Sequence, residues 1–263
     1  MMHLLKIEWL KIRNYKTFWI LIGIFASLYL LINYILGNIV KSANQGPIKL
    51  LDESYSFPFV WNTMAYNYSW LILFLCMFMI ISLSNEYTYK TQRQHIIDGM
   101  HRVEFIHAKA LLIIAISIAS TLFYTILCLI FGALVGGSGM FEQAHLILYV
   151  FIYTVNYLSF AALIALFIKR TGLSIIIFLA YLMLEAGIGS YINLKLNSYF
   201  GNFLPLQVSD ELLPSRSIEK LKGMANNMTM SNNAPMISFL IASIIYITLY
   251  YFVAKRKMQN SDL

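Results

Sequence analysis

A chain that does chemistry inside an apolar phase needs ionisable side chains that face one another. The sequence has 263 residues, of which 59% are hydrophobic and only 12% charged. A soluble domain carries about 25% charged residues. The charges here lie between long apolar runs, and one carboxylate, Glu185, falls inside a run. An ionisable group inside a membrane is costly and by default points to function. Ala186, Gly187, Gly189 and Ser190 beside it are small enough for another helix to approach closely. Glu185 therefore reads as a carboxylate on a substrate path or gate, as a protonated or paired group at a helix contact, or as part of a re-entering helix that reaches water. A lone carboxylate does not supply the paired acid–base work of hydrolysis. His107 and His145 stand only at the ends of apolar runs.

Other reactive side chains are sparse or badly spaced. His95, His101 and His107 are six apart and do not share a helical face, so they read as solvated. Cys76 and Cys128 lie inside apolar runs, with no CxxC or Cys/His cluster, and read as packing residues. Met224, Met228, Met230 and Met236 are soft donors without an accompanying Cys or His, which favours packing over a metal. No metal site is expected. The motifs GxxxxGK[ST], HExxH and GxSxG do not occur. The chain is therefore not expected to be an enzyme or to bind a cofactor itself.

The elements that carry these residues follow from hydropathy. A span needs about 20 apolar residues. Six runs meet this, at about 18–37, 61–84, 110–135, 145–168, 173–192 and 236–253. The expected fold is an all-α integral membrane protein with a single six-span domain over 1–263. Ahead of the first span, residues 2–16 form a partly amphipathic helix. Leu5, Trp9 and Ile12 share its apolar stripe with Met2, while Lys6, Lys11 and Arg13 lie off it. Such a helix fits the membrane interface, with lipid as its partner. The first run is too long, and lacks a small-residue cleavage site, to be a cleavable signal. Asn85–Lys109 holds the longest charge-rich stretch and reads as a loop with one or two short helices between the second and third spans. A polar loop, 193–235, precedes the sixth span.

The net charge of +7 would suggest nucleic acid in a soluble protein. In a membrane chain it reports orientation instead, because Lys and Arg gather on the cytoplasmic side. With the N-terminus inside, 13 of the 19 basic residues fall on inner segments. Both termini and the Asn85–Lys109 loop are therefore expected in the cytoplasm, and no nucleic-acid partner is expected.

Three features together resemble the membrane subunits of type 2 ABC transporters, the ABC-2 permeases, including the bacitracin and lantibiotic-immunity exporters. One is the start, LLKIEWLKIRNYKTFWI, with Glu8, Lys11 and Arg13 ahead of the first span. Another is the loop pattern, carried here by Glu86, Thr91, Arg93, Gly99, Arg102 and Lys109. His101 stands where the family usually has a small residue or proline. The third is six spans with both termini inside and a longer outer loop before the last. The resemblance implies a multi-pass protein of the bacterial cytoplasmic membrane and an exporter driven by a separate ABC ATPase subunit, which would hold the ATP and Mg. It implies a second permease subunit, identical or related. It also implies that the N-terminal helix connects at the inner face and that the loop contains a coupling helix that docks on the ATPase.

Two alternatives belong to other classes. A gradient-driven secondary transporter would show more intramembrane charge or Gly/Pro-broken helices, whereas these spans hold one carboxylate and no proline. A non-transporting membrane scaffold would read the same as a permease.

Overall fold

The computed structural model describes residues 2–43, 54–97, 99, 101–196, 199–213 and 234–260. Its elements in chain order are α1 (Met2–Arg13), α2 (Lys16–Ala43), α3 (Val60–Thr88), α4 (Thr91–Ile97), α5 (Arg102–Val135), α6 (Leu146–Ile168), α7 (Thr171–Leu196), a 3-10 turn (Phe200–Phe203), α8 (Gln207–Asp210) and α9 (Met236–Gln259). The described residues form an all-α protein. Six helices, α2, α3, α5, α6, α7 and α9, are long and apolar enough to cross a membrane. Of the methionines noted above, Met224, Met228 and Met230 lie outside the described residues, as does the side chain of His95.

α3 is the centre of the bundle and packs against α2, α5, α6 and α7. Trp61, Met64, Tyr68, Ile72, Phe78 and Met79 on it are all buried. Buried hydroxyls and amides tie it to its neighbours. Tyr68 Oη donates to Ser120 Oγ of α5 at 3.0 Å and shares a 2.8 Å bond with Thr154 Oγ1 of α6. Asn67 Nδ2 donates to Asn33 Oδ1 of α2 at 2.8 Å. Between membrane helices such bonds add specificity where the hydrophobic effect gives little drive for association.

The helices overrun the expected span limits at the end shared by the two termini. α3 continues to Thr88 and α5 begins at Arg102, so Glu86, His107 and Lys109 sit in long helices rather than in a loop. No proline or glycine interrupts 102–131, so helix propagation carries on through the polar turn. At the opposite end, Phe57 N donates to Gly136 O at 3.1 Å. A side chain at Gly137, whose φ is +121°, would meet the Phe57 backbone, so only glycine fits there.

The segment 199–213 folds back into the bundle rather than running across its end. It packs against α6, α7 and α9. Asn193 Oδ1 accepts the Gly201 amide at 2.7 Å, and a methyl group at Gly201 would collide with the Gly189 carbonyl of α7. The small residues around Glu185 therefore admit this returning segment, where the sequence suggested a neighbouring helix. We expect Gly201→Ala to lose about 1–3 kcal/mol through overpacking, read as a lowered midpoint of thermal unfolding in detergent.

Candidate functional site

The largest group of charges on the described residues lies where α1, α3 and α5 meet at the end shared by the termini. Lys109 comes from the second turn of α5, Glu86 from the last turn of α3, and Glu8 and Lys11 from α1. Lys109 Nζ donates to Glu8 Oε2 and to Glu86 Oε1, each at 2.6 Å. Lys11 Nζ reaches Glu8 Oε1 at 3.0 Å and Glu86 Oε1 at 3.1 Å. Lys109 is 4% exposed, Glu8 2% and Glu86 7%. Two carboxylates and two ammonium groups leave the cluster electrically balanced, the condition under which buried charges persist. Burial works against the Glu8 charge, but Lys109 and Lys11 outweigh it and hold its carboxyl below the usual value. Lys109 Nζ also stands 5.4 Å from the Phe105 ring centre.

Local sequence explains how each group arrives. Lys11 lies three residues after Glu8, so both share a face of α1. Ile12 is buried beside them and fixes that face toward the bundle, while Leu5, at 41% exposed, and Trp9, at 49%, point away from it. Arg13 is exposed, and its carbonyl accepts the Trp19 indole N–H at 2.9 Å. Tyr15 Oη accepts from Asn85 Nδ2 at 2.6 Å. The ion cluster thus binds α1 to the end of α3, and a neutral bond binds the link between α1 and α2 to it.

The remaining expected residues separate into two groups. Thr91 Oγ1 donates to the Glu86 carbonyl at 3.4 Å, at the turn where Lys90 takes a left-handed φ of 56°. Gly99 also has positive φ, +101°, between α4 and α5. Arg102 Nη1 donates to Gln259 O at 2.9 Å, and Gln92 Nε2 contacts Met258 Sδ at 3.0 Å. These bonds bring the end of α9 onto α4 and α5. Arg93 is exposed, together with Tyr89 at 73% and Ile97 at 77%. Glu86 and Lys109 therefore face inward, and Arg93 faces outward.

Glu185 stands apart from this cluster, at the other end of the bundle. Its Oε1 accepts the backbone N–H of Leu206 at 2.7 Å and of Gln207 at 3.4 Å, at the start of α8. Those amides have no partner within their own helix turn. Glu185 is thus paired with main chain at a returning segment. Asn156 Nδ2 donates to Ser209 Oγ at 2.7 Å and Tyr157 Oη to Asp210 Oδ1 at 2.6 Å, so α6 holds the same segment from the other side.

Sequence reasoning missed Glu8 as a site residue and missed Asp210 altogether. Glu8 carried a signal: a carboxylate on the inward stripe of a short helix needs a buried cation. Among the described residues no group of three or more His, Cys, Asp or Glu could hold a metal.

A search of curated proteins found no match. The family model described as ABC-2 family transporter protein matches residues 4–185, which is more than half of the chain and takes in α1, the ion cluster and α4. The chain therefore belongs to the ABC-2 transporter family and is a permease component of an ABC transporter.

Proposed function

We propose that this permease exports a hydrophobic or amphipathic substrate as one half of a dimer, driven by a separate ABC ATPase that docks on α4. The observation that carries the reading is a short helix with Arg93 and Ile97 exposed, preceded by an exposed Tyr89 in the turn and rooted in two spans by a buried ion cluster. A docking partner's motion at α4 then reaches α3 and α5 as a rigid-body tilt, because packed elements move as bodies. Glu86 and Lys109 act in this by holding the root stiff, and Arg93 acts by contact. Both termini, α1 and α4 face the cytoplasm, supported by the bias of Lys and Arg to that side. Trp9 and Leu5 lie against the headgroups, with Lys6 and Arg13 toward anionic lipid. ATP and Mg bind the partner subunit. The second permease subunit is a copy or a relative of this chain.

The test is purification of the chain from its own membranes in mild detergent, wild type beside Arg93→Ala/Ile97→Ala. An ATP-binding subunit is expected to come with the wild type and to be lost from the variant. A variant that keeps the subunit moves docking off α4. If no such subunit comes with either chain, the gradient-driven transporter and the scaffold replace this reading.

A further inference from the structure

We propose that the cleft between α5 and α9 holds one anionic phospholipid of the cytoplasmic leaflet, with an acyl chain in the cleft and its phosphate beside Lys255 and Arg102. The inference rests on the orientation proposed above.

A cavity of about 310 Å³ lies between these helices. Leu83 of α3 and Val155 and Leu166 of α6 line it on the bundle side. Ile114, 42% exposed, and Thr248, also exposed, line it at the perimeter of the bundle, so it opens sideways, where lipid tails lie. Along α5 it runs from Ile106 to Ile114. That is a rise of about 12 Å at about 1.5 Å per residue. It fits within one leaflet, about half of a hydrocarbon core of about 30 Å.

The lining offers little to a polar guest. Lys109 Nζ is turned to Glu8 and Glu86. Thr248 Oγ1 donates to the Ile244 carbonyl at 2.8 Å, and Tyr251 Oη is bonded to His107 Nε2 at 2.7 Å. What remains toward the space is hydrocarbon apart from the Ser159 hydroxyl of α6, and a largely apolar slot open to lipid takes an acyl chain.

The end of the slot toward the termini has the opposite character. Lys255 lies one turn beyond Tyr251 on the same face of α9, and Arg102 lies one turn before Ile106 on α5. The bond from Arg102 Nη1 to Gln259 O holds these two helix ends side by side. Among the described residues the nearby acid is Glu104, whose Oε2 accepts the His101 amide at 2.9 Å. His107, bonded to Tyr251, also stands at this rim. Lys255 and Arg102 outnumber Glu104, so the described rim is basic on balance at headgroup level, directly below an acyl-sized slot, which selects an anionic headgroup over a zwitterionic one.

Native mass spectrometry of the full chain in mild detergent tests this, with phosphatidylglycerol and phosphatidylcholine titrated separately. One phosphatidylglycerol is expected to stay bound, and phosphatidylcholine to bind at least about tenfold more weakly, a difference of about 1.4 kcal/mol. Lys255→Ala should bring phosphatidylglycerol down to the phosphatidylcholine level. Ala162→Phe, which fills the slot from α6, should expel both lipids. Ala110→Phe fills it from α5 and serves if Ala162→Phe does not fold. Equal binding of the two lipids by the wild type overturns the proposal, as does unchanged phosphatidylglycerol retention in both filled variants. Labelling of Lys255→Cys with an impermeant maleimide reads the orientation separately. Labelling only from outside overturns the cytoplasmic leaflet, while lipid retention still reports on the slot.

Discussion

Lys109→Met is expected to lower the stability of the chain by about 3–5 kcal/mol, because removing one partner of a buried ion group leaves uncompensated charge. Here two carboxylates, Glu8 and Glu86, lose the cation that both approach at 2.6 Å. Lys11 remains, but it reaches Glu8 through the other oxygen, Oε1, at 3.0 Å and Glu86 Oε1 at 3.1 Å, and its side chain is 27% exposed, so it neutralises the two carboxylates less well. The loss should appear as a lowered unfolding midpoint and as proteolysis between α1 and α2. A variant with methionine at Glu8, Glu86 and Lys109 together should recover most of the stability, since an apolar replacement for a buried ion group is often neutral or better. Recovery in the triple variant would assign the single-variant loss to unpaired charge. If the triple variant is as unstable as Lys109→Met, the loss comes from packing and the cluster is not what joins α1 to the bundle.

The second large effect is a pH response of the returning segment at the other end. Burial pushes the Asp210 carboxyl up to about 7, opposed by the bond from the Tyr157 hydroxyl and reinforced by the charges of Glu185 and Glu211. Tyr153 of α6 also faces it. A carboxyl whose folded value lies above its ordinary value of 3.8 binds its proton more tightly in the docked state. Docking of 199–213 is therefore strongest below that ordinary value, and it weakens as pH rises toward about 7, beyond which it levels off. Hydrogen exchange at the Leu206 and Gln207 amides, corrected for intrinsic rates, should show less protection at a pH of about 8 than of about 5. Asp210→Asn should flatten that difference. Glu185→Gln should reduce protection at every pH, because it weakens the acceptor for those amides. Equal protection at both pH values in the wild type would remove Asp210 from the account.

How much of this was legible in the sequence follows from the range over which each signal acts. The six spans are long, locally apolar runs, and α2, α3, α5, α6, α7 and α9 lie where those runs are. The ends of α3 and α5 were not legible. Glu86 and Lys109 look like loop charges until each has the other as a partner, and the partners are 23 residues apart. Glu8 was harder still, because its cation is 101 residues away. Glu185 stood out as a lone intramembrane carboxylate, but its partners are backbone amides, which leave no mark on side-chain patterns. The returning segment has only a 3-10 turn and a four-residue helix, too short for any periodicity to register.

The proposed function turns on α1 and the α3–α4–α5 root moving as one body through the Glu8–Lys109–Glu86 cluster. Its direct test is a spin-label distance measurement between Lys6→Cys and Gln94→Cys, both exposed positions, with the buried Cys76 and Cys128 replaced. One narrow distance distribution is expected in the otherwise wild-type chain and a broad one once Lys109→Met is added. A broad distribution with the cluster intact, or one left narrow by Lys109→Met, would contradict it.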